Sequence, residues 1–386
     1  MKFSLKKILS PSELKILRNV SLISIAVSLI IVVISWLFQI YNISKKTPEL
    51  NPLLSNLNIL PFDIEAHKLS AKRFMQSNNP QSAIPHLQRV IVLAPKDIIS
   101  QKELADAYLE AGYYQKALDL YNQLTEKELQ ESVLTQIWAR RGIANFFLDN
   151  KEQSALILKE CLTRFPGSAE AACFLGQIEA ANSDTSKSIE YLNKAIEIDS
   201  TYTEAWYQLS RIKMFQKNYI AARQLLLKAL QIEPLHAKSH ARLGMVYYYL
   251  NNPDLARTSY QTALALNPED FNTHYNLGEL YYSYYKDTVN ALKEFKQTLA
   301  LNPVHSDANF KTALICVKNG MIKESIKYFQ DALVTAPQNL RILLQLAAAF
   351  EKLSLTTEAI QVYNKILDID DLNSIARQKI KMLKEK

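Results

Sequence analysis

The chain has 386 residues, 48% apolar and 22% charged, with a formal net charge of +7 and three cysteines. Without a C-x2-C pair those cysteines indicate neither a zinc site nor a disulfide framework, and seven scattered glycines leave no phosphate-cradling loop. Residues 1–19 hold five basic residues and one acidic residue, so everything after them carries only +3, too little for a nucleic-acid-binding stripe.

Chain order begins with that basic segment, in which Lys2, Lys6, Lys7, Lys15 and Arg18 precede an uncharged run of 19 residues, Val20 to Phe38. As a helix the run spans about 28 Å, the thickness of a hydrocarbon core. A transmembrane helix is expected over residues 20–40. A cleaved leader is the main rival, but the run exceeds a usual leader core and SWLFQIYNIS offers no small-x-small cleavage site. Only Lys45 and Lys46 follow within twenty residues, so the charge bias puts the N-terminus in the cytoplasm and the rest of the chain on the other side. Residues 41–62, with Pro48, Pro52 and Pro61, read as a linker.

From residue 63 the chain repeats itself. YQTALALNP at 260–268 returns as FKQTLALNP at 295–303. The small residues Ala83, Ala117, Ser154, Ser188, Ala222, Ala256, Ala291, Ser325 and Ala359 stand at spacings of 34, 37, 34, 34, 34, 35, 34 and 34, which marks nine repeats. With that residue at position 20 of 34, position 8 is small (Gly142, Gly176, Gly244, Gly278 among others), position 24 is often aromatic (Tyr121, Tyr260, Phe295, Phe329, Tyr363), and position 32 is often proline (Pro95, Pro166, Pro234, Pro268, Pro303, Pro337). Trp138 and Trp206 occupy position 4. At 100° per residue, positions 4, 7, 8 and 11 share one face of a first helix and positions 20, 24 and 27 one face of a second. Proline at 32 stops the second helix. The longer spacings place one inserted residue between the helices of repeat 7 and extra residues between repeats 2 and 3. Residues 373–386 read as an amphipathic capping helix.

This pattern resembles the tetratricopeptide repeat, whose W-x2-L-G-x2-Y, A-x3-F and P signature is rebuilt about nine times over residues 63–372. The resemblance implies an all-α, right-handed α-solenoid of about nine helix pairs, preceded by the transmembrane helix. It also implies a binding scaffold without catalytic, cofactor or metal sites. His236 and His240 are four residues apart and His274 repeats the slot of His240, but position 4 is a packing slot, so core packing is expected rather than metal binding. Gly278 should pack against a second helix, and Glu279 should face solvent.

In this architecture positions 2, 5, 6, 9, 12 and 13 of the first helices line a concave groove. In repeats 5 to 8 those positions hold the candidate protein-binding residues Tyr207, Arg211, Lys238, Arg242, Tyr248, Tyr275, Asn276, Tyr282, Phe310 and Lys311, with Phe215 and Tyr249 beside them. Aromatic residues with arginine and lysine are the composition of an interaction hot spot; the same tyrosines could instead pack on the next repeat. Lys238 and Arg242 match the position 2 and 6 pair of the carboxylate clamp in co-chaperone members of the family, while Cys173, Gln177 and Gln208 replace the lysine and asparagines that would precede them. The expected partners are proteins or peptides and a membrane through Val20 to Phe38, with no nucleic acid. The expected role is a scaffold for an envelope or organelle complex, or else the accessory subunit of a membrane enzyme.

Overall fold

The computed structural model describes residues 63–77 and 79–385. The basic segment, the uncharged run Val20 to Phe38 and the linker all lie outside them. Among the described residues no helix is long and apolar enough to cross a membrane.

The described chain is helical throughout, without strands. The first unit, up to Leu124, contains α1 (Ile64–Gln76), α2 (Pro80–Leu93), α3 (Ile98–Glu110) and the body of α4 (Tyr114–Thr125). The second, from Thr125 on, contains α5 (Glu131–Phe147), α6 (Lys151–Arg164), α7 (Ala169–Ala181), α8 (Thr185–Ile198), α9 (Thr203–Phe215), α10 (Tyr219–Ile232), α11 (Ala237–Tyr249) and α12 (Pro253–Leu266). It continues through α13 (Phe271–Leu280), a π-helical turn (Tyr281–Tyr285), α14 (Thr288–Leu301), α15 (Ser306–Lys318), α16 (Ile322–Thr335), α17 (Leu340–Lys352), α18 (Thr356–Ile369) and α19 (Ser374–Lys384). Odd-numbered and even-numbered helices pair as the first and second members of a repeat, and α19 closes the stack on α18.

Each repeat is built by three local devices. A short polar side chain caps many of the helices: Asp97 accepts from the Ser100 backbone, Ser168 from Ala171, Asp184 from Lys187 and Asn218 from Ala221. The first helix then ends at a residue in the left-handed region, five positions before the buried small residue. Gly112 and Gly320 fill this place twice, but Asp149, Ser183, Lys217, Asn251, Lys286 and Ser354 adopt the same positive φ without being glycine. Finally the small residue itself is fully buried in all nine repeats, from Ala83 to Ala359.

Glycine at position 8 makes the closest approach. A methyl group there would lie 2.6 Å from Leu158 at Gly142, 2.7 Å from Leu192 at Gly176, 2.6 Å from the Tyr260 ring at Gly244 and 2.8 Å from the Phe295 ring at Gly278. In every case the neighbour is the position 24 side chain of the same repeat. That side chain is a fully buried phenylalanine at Phe295, so the helix pair is held by a ring seated on bare backbone.

The two irregular spacings are absorbed differently. The extra residues between repeats 2 and 3 fall in the loop after α4 and in α5, which runs to 17 residues where most other first helices have 13. The residue inserted in repeat 7 does not sit between the helices, as the spacing suggested, but inside the end of the first helix. One turn widens to the π form over Tyr281–Tyr285, which keeps Lys286 five residues before Ala291.

In the first unit His67 Nδ1 and His86 Nδ1 are 2.9 Å apart, a contact in which one ring nitrogen must donate and the other accept. Burial, together with the neighbouring His67, pushes His86 below the ordinary imidazole value of 6.5. The folded unit therefore resists a proton that the unfolded chain accepts, so its stability is full above that value and declines as the pH falls below it. The protection of α1 and α2 against hydrogen exchange, corrected for the slower intrinsic exchange at lower pH, should fall on acidification through this range in the whole chain, and His86→Gln should flatten the response. The packing gives a second expectation: Gly278→Leu forces Phe295 aside and costs about 1–3 kcal/mol in denaturant unfolding. Gly167→Ala, with nothing within 4 Å of the added methyl, should be nearly neutral.

Candidate protein-binding face

The first helices of repeats 5 to 8 are α9, α11, α13 with its π turn, and α15. Of these, α11 and α13, with α12 behind them, enclose a cleft of about 220 Å³ lined by Met245, Tyr248, Tyr249, Tyr260, Tyr275, Asn276 and Glu279. Tyr260 reaches the cleft because Gly244 leaves room for its ring. The Tyr248 hydroxyl meets Ser283 Oγ at 3.3 Å, tying α11 to the π turn, and Tyr249 stands edge-on to Tyr248 at 5.6 Å. The Tyr275 ring lies 4.8 Å from His305 and 5.8 Å from Phe295. Burial first, then the nearby Asp307 and Glu279, raise its hydroxyl above the ordinary phenol value, so the ring presents a neutral donor. Asn276 makes no side-chain hydrogen bond among the described residues, leaving its amide available on the cleft wall.

The residues expected to line the groove divide into three groups. Arg211 and Lys238 are exposed, and Lys238 has no ion pair among the described residues. Arg242, Tyr248, Tyr275, Asn276, Tyr282 and Lys311 are half-buried. Arg242 leans on Tyr207, with Nη2 3.3 Å from its hydroxyl, and Lys311 Nζ lies 4.8 Å above the Tyr282 ring. Tyr207 and Phe310, expected on the open groove, are buried instead. Both occupy position 5, where the side chain turns toward the next repeat. Tyr207 packs with Ala222, Leu226, Leu243 and Val246 and meets His236 edge-on, while Phe310 packs on Phe329 beneath Arg341. Their aromatic surface contributes to cohesion between repeats rather than to an open wall.

Position 9 supplies what the aromatic and basic pattern missed. Met245 and Glu279 both line the cleft. Glu279, expected to face solvent, is paired with Lys311 at 2.9 Å across from α13 to α15. The arc of positions 2, 5, 6, 9, 12 and 13 contained the signal, since both residues lie on it.

Position 4 is a hydrogen-bond slot. Gln101 donates to the Pro95 carbonyl at 2.6 Å, Trp206 to Ser200 at 3.0 Å, Asn309 to Pro303 at 2.9 Å and Arg377 to Asp371 at 2.9 Å. His240 Nε2 meets the Pro234 carbonyl at 2.9 Å and His274 Nε2 the Pro268 carbonyl at 3.1 Å. In each case the acceptor is the carbonyl of position 32 of the preceding repeat, in the turn just past the second helix. His274 also meets Glu294 through Nδ1 at 2.7 Å. These imidazoles are occupied by structural partners, and no group of three or more potential metal ligands occurs among the described residues. Cys161, Cys173 and Cys316 are buried, and burial pushes Cys161 up to about 11, so it stays a thiol.

Comparison with known proteins agrees with this architecture. A family model described as TPR repeat matches residues 244–283, and two described as Tetratricopeptide repeat match residues 69–128, 290–339 and 317–374, and residues 169–202 and 203–234. No curated protein matches the chain in sequence. Among solved structures, the APC/C hetero-tetramer Cut9-Hcn1 is similar over 77% of this chain and 58% of that chain, at 17% identity and a TM-score of 0.59. PilF of Pseudomonas aeruginosa is similar over 54% of this chain and 94% of that chain, at 20% identity and a TM-score of 0.50. At these identities the likeness is one of fold. The family models together cover more than half of the sequence and fall on the helix pairs described above: the chain belongs to the tetratricopeptide repeat family.

Proposed function

We propose that this protein is a membrane-tethered scaffold without a catalytic centre of its own, which holds a protein or peptide partner on the inner face of repeats 5 to 8 during assembly of an envelope or organelle complex. The observation that carries the reading is the tyrosine-lined cleft. Tyr248, Tyr249 and Tyr275 offer large rigid aromatic surface, and the Asn276 amide and Lys238 ammonium offer polar contacts that no side chain among the described residues takes up. The uncharged run Val20 to Phe38 supplies the tether, with the basic N-terminus in the cytoplasm and the repeats on the opposite side. The small charge of the chain beyond residue 19 supports a protein partner over a nucleic acid.

Capture of the crosslinked native partner, set beside melting temperature, tests the site. Lys238→Ala with Arg242→Ala, and separately Tyr248→Ala with Tyr282→Ala, should weaken capture by about 2 kcal/mol or more. Lys238→Ala alone should shift folding by no more than about 0.5 kcal/mol. Tyr207→Ala should behave in the opposite way, costing about 3–5 kcal/mol of stability through the cavity it leaves. If every variant retains the partner as well as the parent does, the inner face is not the site. Orientation has its own check: protease applied to the cytoplasmic side of sealed vesicles should spare the repeats, and their digestion would place them in the cytoplasm.

A further inference from the structure

The turn between the two helices of a repeat is flanked by position 13, on the last turn of the first helix, and by positions 18 and 19, at the start of the second. In repeat 4 this place holds Ala181 and Ser186, and in repeat 8 it holds Lys318 and Lys323. Repeats 5, 6 and 7 differ. There the pairs are Phe215 with Ile220, Tyr249 with Leu255 and, after the inserted residue, Tyr284 with Val289. All six are exposed, Phe215 to 86%, Val289 to 78% and Ile220 to 59%.

These three turns form one continuous edge. Tyr249 of repeat 6 stacks on Tyr219 of repeat 5, with ring centroids 4.8 Å apart and planes 9° from parallel. The Tyr285 hydroxyl of repeat 7 donates to Asp254 of repeat 6 at 2.7 Å, and the Arg257 guanidinium lies 5.1 Å from the Tyr285 ring. Cations stand within the apolar row, since the left-handed residue of repeat 5 is Lys217 and that of repeat 7 is Lys286, both exposed. Asp254 pairs with Arg257 and accepts from Tyr285, while Asp287 caps the backbone of Val289 and Asn290 and keeps its charge beside Lys286, so the row retains a net positive charge of one through Lys217.

We propose that this edge of repeats 5 to 7 rests on the surface of an anionic lipid bilayer. Aliphatic and aromatic side chains enter the boundary between headgroups and acyl chains, while lysines beside them keep their ammonium groups among the phosphates. Tyrosine suits that depth because its ring is apolar and its hydroxyl is not. A protein partner would be matched by a pocket or by paired charges; here the apolar residues stand at successive turns with Lys217 and Lys286 between them. The inference uses the proposed tether only to bring the bilayer within reach, and the edge adjoins the tyrosine cleft, with which it shares Tyr249 alone.

The test places an environment-sensitive fluorophore on Ile220→Cys, Leu255→Cys or Val289→Cys in the whole chain, reconstituted in phosphatidylcholine vesicles with or without phosphatidylglycerol. The native thiols are buried, so labelling falls on the introduced one. Val334→Cys, on the exposed side of α16, serves as the reference. Edge labels should shift to the blue and be quenched by spin-labelled lipid when phosphatidylglycerol is present, and the reference label should not. Lys217→Gln with Lys286→Gln should lower the ratio of bound to free edge roughly 25-fold, about five-fold for each lysine, without changing the melting temperature. Edge labels as exposed to water as Val334 on both vesicles would overturn the proposal and leave the edge to a protein partner. Carbonate extraction reports the tether separately: a chain that stays in the membrane with its edge in water keeps the tether and loses this inference. A chain that is extracted, yet had its edge in lipid beforehand, does the reverse.

Discussion

The contact on which the rest of the molecule depends is a side chain resting on backbone that has no Cβ, or only a methyl group, above it. Position 24 of the second helix lies on position 8 of the first, at Leu158 on Gly142, Leu192 on Gly176, Tyr260 on Gly244 and Phe295 on Gly278. Interiors are packed as densely as organic crystals, so this distance permits little variation. It fixes how the helices of a pair cross, and hence which residues of the first helix face inward. The tyrosine cleft follows directly, because the Tyr260 ring that seats on Gly244 is also one of the cleft's walls.

A second constraint operates at the turns. Six non-glycine residues accept a left-handed backbone, which costs about 1–2 kcal/mol per residue relative to the right-handed helix. The packing on both sides of the turn offsets that cost. Where one residue too many is present, in repeat 7, the helix widens by a π turn rather than moving the left-handed residue away from Ala291. The spacing from turn to buried small residue is thus held more firmly than the regular helical hydrogen bonding that precedes it.

The fold was legible in the sequence because its determinants are local and recur. Small residues at positions 8 and 20 and proline at position 32 encode the helix pair without reference to anything distant. The candidate site was legible only as an arc. Helical periodicity puts Tyr207 and Tyr248 on the same face, but not which of them will lean on the following repeat. That depends on what the neighbour provides, His236 against Tyr207 and Arg341 against Phe310, and the repeat period alone does not carry it. The pairing of Glu279 with Lys311 was hidden for the same reason, being a contact between residues 32 apart on different first helices.

The carbonyl slot at position 4 bears on how such a chain can diverge. An N–H of suitable reach is all the acceptor requires, and indole, imidazole, carboxamide and guanidinium each provide one. Side chains that differ in size, charge and aromaticity therefore become interchangeable at a place that joins one repeat to the next. A mutation from tryptophan to histidine or glutamine would erase the most recognisable letter of the motif while keeping the bond it makes. Repeat arrays of this kind can lose textual resemblance to one another far faster than they lose shape, which is consistent with a fold shared at 17% identity.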